Sequence, residues 1–192
     1  NNIYVKKGFS SEWIGSIPVD DKSWHVIAPS SAGNAMRISE MPLPGATKRH
    51  FFSYDHHKTE TYTFITTFNM SEDARLDKEF LGLYIDQIGE NWEIYLNGKL
   101  IKSEIHTGSD GDINEFRTQR RVLIYINPLL VKSGINILAF KIVGDPTIVD
   151  TGFYTNLPII IDDYEKLARK KLRLVQLILL FVYLVVGLYL LL

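Results

Sequence analysis

Between Ser103 and Arg121 the chain gathers His106, Glu115, Arg117, Arg120 and Arg121 beside a segment rich in aromatic residues. Guanidinium forks meet carboxylates through paired hydrogen bonds, and together with aromatic faces they can grip sugar hydroxyls or carboxylates. A solvated surface loop accounts for the same charges, since long connections carry function only sometimes. Within this stretch Asp110, Asp112 and Asn114 fall at alternate positions, a spacing by which an extended loop aims oxygens at one hard cation, calcium being the expected one. The glycine at the sixth position and the distant bidentate glutamate of a calcium loop are missing, which favours a solvated turn. His50, Asp55, His56 and His57 carry metal-binding side chains, but adjacent histidines on a strand point to opposite faces, so a polar loop is the better reading. Of Trp13, Trp24 and Trp92, the last two lie in alternating segments suited to a core, which leaves Trp13 to stack on a sugar ring.

The chemistry that is missing narrows the field. With no Cys in the sequence, disulfides, thiolate metal sites and cysteine nucleophiles are excluded. Gly-rich phosphate loops, a nucleophile elbow and a zinc-protease helix are absent, and no Asp or Glu sits in a recognisable catalytic motif, so a non-enzymatic role without a cofactor is expected. Lys+Arg at 21 against Asp+Glu at 22 leaves a net charge of -1, without the basic excess that duplex nucleic acid attracts.

Strands must position these residues. Thr61–Met70 alternates, with Tyr62, Phe64, Phe68 and Met70 on one face, and reads as a half-buried strand. Phe80–Asp86, Arg121–Ile126 and Gly134–Val143 are further β-rich runs, and Asn127–Gly134 is expected to hold one helical turn begun at Pro128. In Trp92–Ile101 the Asn97-Gly98 dipeptide suits a type I′ turn, predicting a tight hairpin with Trp92, Ile94 and Leu96 inward. The first sixty residues are less regular, with short strands expected at 23–27 and 49–54. Many short strands without interleaved amphipathic helices predict a mainly β fold, an antiparallel β-sandwich over 1–161.

The C-terminal part changes character. Residues 162–173 begin acidic and end basic, as a helix dipole favours. Residues 174–192 hold no charge and one amide, Gln176, and as a helix they cover roughly the 30 Å of a bilayer core. The two segments are expected to form an unbroken helix, juxtamembrane over 162–173 and membrane-spanning over 174–192. Because the sequence stops within the apolar run, it reads as the first part of a longer membrane protein. Asn1 follows neither an initiator Met nor a leader, so a removed signal peptide or trimming is expected.

The residues Trp92–Ile101 and Asn127–Lys141, with Asp20–Ile27 and Thr61–Phe68, resemble the galactose-binding-like jelly roll of sugar-binding domains and of the family 2 glycoside hydrolase N-terminal module. Followed by Phe153-Tyr154, the acidic-to-basic helix and an apolar span, the arrangement is similar to bacterial seven-transmembrane receptors with diverse intracellular signalling modules. That resemblance implies an exported sandwich in the periplasm or outside the cell, anchored in the inner membrane. It implies a carbohydrate or other small polar ligand and a relay through the juxtamembrane helix at Tyr164 and Leu167. Lys166, Arg169, Lys170, Lys171 and Arg173 flank the span and locally favour the opposite orientation, which basic loops elsewhere can override. Two rival readings are a protein-binding or homo-oligomeric module and the accessory domain of a membrane-tethered glycosidase.

Overall fold

The computed structural model describes residues 2–18, 20–27, 36–37, 43, 59–73, 80–89, 91–106, 108–109, 113–115, 117–144, 151–153 and 159–191, with backbone alone at 36–37, 171–176 and 191. Eleven strands are found among them: β1 (Ile3–Lys7), β2 (His25–Ile27), β3 (Met36–Arg37), β4 (Glu60–Met70), β5 (Leu81–Gly89), β6 (Asn91–Leu96), β7 (Lys99–Glu104), β8 (Gln119–Ile126), β9 (Gly134–Gly144), β10 (Gly152–Phe153) and β11 (Ile159–Asp163). A long α-helix, α1 (Tyr164–Leu191), follows β11 directly. The expected strand at 49–54 lies outside the described residues, as do His50, Asp55, His56 and His57.

One sheet runs in the order β2-β1-β4-β9-β6-β7. The other is built around β5, whose Leu81–Ile85 pair with β8 on one edge and β11 on the other, with β10 and β3 continuing from Gly89. All pairings are antiparallel, and the result is the expected β-sandwich. Period-two alternation decides which residues meet between the sheets. Phe64 of β4 and Phe140 of β9 stand opposite one another, and Phe153 of the second sheet meets both edge-on at 5.2 and 4.9 Å. Trp92, Ile94 and Leu96 are fully buried in the same core.

The hairpin between β6 and β7 turns at Asn97 (φ 50) and Gly98 (φ 82), the two positive values that a type I′ turn requires. Its Asn97 carboxamide donates to Leu130 O and to Asn136 Oδ1, both at 2.8 Å, and accepts from the Ile137 amide at 2.9 Å. The expected turn after Asn127 is a 3-10 helix at Pro128–Leu130, capped by the Asn127 carboxamide, which accepts from the Leu129 amide.

Two expectations need correction. Thr61–Met70 is not simply half-buried: Thr63 and Ile65, on its supposed solvent face, are fully buried. The reason is local, because residues 9–18 and 20–24 lie across this outer face and place Ile14 and Trp24 on Ile65 and Ala139. The helix begins at Tyr164 rather than at residue 162, because Asp162 and Asp163 pair with Gly82 and Leu81 in β11. Asp163 caps α1 by accepting from the Lys166 amide at 2.8 Å.

The first turns of α1 fold back over the outer face of the five-stranded sheet. Tyr164 donates its amide to Phe80 O, Leu167 packs at Gly82, and the Lys170 ammonium lies 5.5 Å from the centre of the Tyr84 ring. Helical steps of three therefore match strand steps of two, and α1 travels in the direction of β5, antiparallel to β11. Past this contact its large apolar side chains from Leu177 to Leu190 are 48–80% exposed. Among the described residues no helix is long and apolar enough to cross a membrane, so the span expected over 174–192 is not shown by the structure.

Candidate functional site

The edge strands β7 and β8, one from each sheet, border a polar groove of about 440 Å³. Lys102 and Glu104 line it from β7, and Arg117, Gln119, Arg120 and Arg121 from β8 and the segment before it. Gln119 Nε2 donates to Glu104 Oε2 at 3.2 Å and so bridges the sheets. Lys102 Nζ lies 2.6 Å from Glu104 Oε1, and this hydrogen bond is the main cause that holds the Glu104 carboxyl below the ordinary glutamate range, against a desolvation that raises it. Glu104 is therefore ionised at neutral pH and neutralised within the site, while Arg120 is exposed and makes no ion pair among the described residues. The groove keeps a cationic excess suited to an anion.

The backbone of β8 is distorted at this point. Arg121 has φ 54, uncommon for a residue with a Cβ, and the ladder to β5 omits the Asp86–Arg121 pair between Ile85–Val122 and Gln87–Arg120. A left-handed residue of this kind costs on the order of 1–2 kcal/mol and persists only where its surroundings hold it, commonly at binding sites. It interrupts the alternation of the strand where two arginines border the groove.

His106 and Glu115 lie beside two of the lining residues, Glu104 and Arg117. His106 Nε2 is 3.4 Å from Glu104 Oε2, its Nδ1 is 3.8 Å from Glu115 Oε2, and Arg117 Nη1 is 3.8 Å from Glu115 Oε1. Asn91 fixes both ends of this segment to the sheet. Fully buried at the start of β6, its carboxamide accepts from the His106 amide and donates to Glu115 O at 3.3 Å. Asn91→Ala removes both bonds and is expected to cost about 1–3 kcal/mol. Hydrogen exchange should quicken at His106 and Asn114 while β4 and β9 keep their protection; unchanged exchange at His106 would show that the segment is held by other contacts.

Five of the residues singled out in the sequence thus come together: His106, Glu115, Arg117, Arg120 and Arg121. Trp13 does not join them. It is half-buried on the outer face of the six-stranded sheet, edge-on to Trp24 at 5.3 Å, with Lys6 Nζ 4.7 Å from its ring centre. Asp110 and Asp112 lie outside the described residues, and Asn114 donates its amide to His106 O at 2.9 Å. Among the described residues no cluster of three or more His, Asp or Glu is placed to hold a metal ion. The two residues expected to relay a signal do meet the sandwich: Tyr164 lies edge-on to Tyr125 of β8, at 6.3 Å, and Leu167 is 3% exposed. Asn91, Lys102, Glu104 and Gln119 are not singled out by the sequence, since an isolated polar side chain on a strand carries no periodic signal.

With this geometry in place, solved structures give a point of comparison. A glycosyl hydrolase family 2 member from Bacteroides cellulosilyticus superposes with a TM-score of 0.55 at 16% identity, over 84% of this chain and 20% of that one. A beta-glycosidase from Bacteroides vulgatus does so with a TM-score of 0.51 at 13% identity, over 83% of this chain and 19% of that one. What is shared is the fold. The chain spans about a fifth of the length of these solved glycosidases. No family model and no curated protein matches the sequence.

Proposed function

We propose that this chain is the exported ligand-sensing sandwich of a bacterial transmembrane receptor, a non-enzymatic module that takes a carboxylate-bearing sugar or similar small polar anion between β7 and β8. The observation that carries the proposal is the double use of β8. Gln119, Arg120 and Arg121 border the groove, while Tyr125 of the same strand lies edge-on to Tyr164 of α1 and Leu123 reaches Gly82, where Leu167 also packs. A ligand that fits one setting of β8 better than another would bias the seating of α1, and only such differential binding can transmit a signal. The exposed apolar side chains of α1 and the uncharged sequence over 174–192 support membrane insertion of its distal part. The sandwich shared with solved glycosidases supports a carbohydrate ligand and equally fits a second reading, the accessory domain of a membrane-tethered glycoside hydrolase.

Calorimetric titration of the whole chain in detergent with glucuronate and galacturonate, beside glucose and galactose, tests the site. Uronate is expected to bind, and Arg120→Glu to weaken it by at least about tenfold, the loss of one charge-assisted contact. Neutral sugars binding equally well with no effect of Arg120→Glu would remove the groove from consideration. Protease access to a tag placed in the 110–115 segment of intact cells tests export separately.

A further inference from the structure

The seat of α1 on the five-stranded sheet is filled on one flank and open on the other. Towards β8, Tyr125 lies edge-on to Tyr164, and Leu123 and Leu167 both reach Gly82. Towards β11, an edge strand, a groove of about 700 Å³ is left between strand and helix, lined by Ile160, Asp162, Lys166, Leu167, Arg169, Lys170 and Leu177. Its floor is the apolar triad Ile160, Leu167 and Leu177, and its rim carries three cations. Lys166 Nζ pairs with Asp162 Oδ2 at 2.5 Å, Arg169 Nη2 stands 3.8 Å from Glu165 Oε2, and Lys170 sits over Tyr84. The two carboxylates offset part of the charge and one cation stays in excess, with Lys171 and Arg173 following in sequence. Leu177, at the end of the floor, also opens the exposed apolar run.

From these juxtaposed features we infer that the groove between β11 and α1 is a binding site for one anionic phospholipid. The phosphate lies among Lys166, Arg169 and Lys170, and the acyl chain follows Ile160, Leu167 and Leu177 into the bilayer. An apolar floor under a cationic rim excludes a free sugar acid, which has no hydrocarbon to cover the floor. A zwitterionic phospholipid would also cover it, but its headgroup brings a cation of its own beside the one already in excess. The inference rests on the membrane reading above, and the lipid fills the flank that the protein leaves open, so it steadies the same helix seat that β8 contacts from the other side.

Flotation of the whole chain with vesicles of phosphatidylcholine alone, and of phosphatidylcholine with phosphatidylglycerol, tests this. The anionic vesicles are expected to hold the chain at least about fivefold better. Lys166→Gln with Lys170→Gln, and separately Ile160→Trp, which fills the floor without changing charge, should each abolish most of that preference. Lys99→Gln with Lys132→Gln, remote cations of the sandwich, should leave it intact. Preference unaltered by the groove variants, or lost equally with the remote pair, overturns the site while membrane binding stands. Failure to float with either vesicle overturns the membrane reading and the site together.

Discussion

Gly82→Val is expected to lift the first two turns of α1 from the sandwich while leaving the sandwich itself folded. A Cβ built at Gly82 would lie 3.0 Å from Leu167 Cδ1, 3.1 Å from Tyr164 Cα and 3.3 Å from Leu123 Cδ1. A flexible side chain could swing away, but the Tyr164 Cα belongs to the helix backbone and is tied by its amide to Phe80 O at 3.0 Å. Relief therefore comes by moving the helix. The expected cost is about 1–3 kcal/mol, the usual penalty for overpacking a close contact. Hydrogen exchange should rise over 164–170 and stay unchanged in β4 and β9, and uronate affinity in the groove should hold while its effect on exchange in α1 disappears. Protection of α1 equal to that of the unsubstituted chain would mean that the helix is seated by something other than this contact. Leu167→Ala probes the same seat from the opposite side: it removes a 3%-exposed side chain, for which about 2–5 kcal/mol is typical.

How far the sequence foretold this arrangement depends on whether a feature is local. The hairpin at Asn97-Gly98 was legible because the positive φ values of its turn restrict the residues that fit. Trp92, Ile94 and Leu96 were legible as core because alternation alone assigns them a face. Ile3–Lys7, Gly152–Phe153 and Ile159–Asp163 are not legible as strands: all are brief, and β11 also sits beside a proline and ends in two aspartates. Their pairing is decided by β4 and β5, far away in the chain. Trp13 reads in the sequence as a residue to stack on a sugar because its segment lacks periodicity, yet Phe9, Trp13, Ile14 and Trp24 build a second small core over Ile65 and Ala139. The arginines of the groove could be found because charge types are visible in one dimension. Asn91, which ties their loop to the sheet, and Gly82, which admits the helix, are single residues whose roles exist only through contact with distant segments.

The largest loss of stability from one polar substitution is expected at Asn136, by the same logic of long-range contact. Asn136 is fully buried at the start of β9. Its Oδ1 accepts from the Asn97 carboxamide at 2.8 Å and from the Lys132 amide at 2.7 Å, and its Nδ2 donates to Lys132 O at 2.8 Å and Gly134 O at 3.1 Å. One side chain thus joins the hairpin of β6 and β7 to the turn that precedes β9, and satisfies backbone groups that water cannot reach. Asn136→Ala strands the Lys132 amide and opens space beside Asn97, for which about 3 kcal/mol is the scale, one to two unsatisfied buried groups. Asn136→Asp should be worse despite its similar shape, since its carboxylate places negative charge against the Lys132 and Gly134 carbonyls and gives up both donors. Raising the acidity protonates that carboxylate and restores one donor, so the gap between Asn136→Asp and the unsubstituted chain is expected to narrow as pH falls, read from urea midpoints at neutral and mildly acidic pH. A midpoint for Asn136→Ala within experimental error of the unsubstituted chain would show that the turn and hairpin stand without this bridge, and would shift the anchoring role to the direct pair of bonds between Asn97 and Ile137.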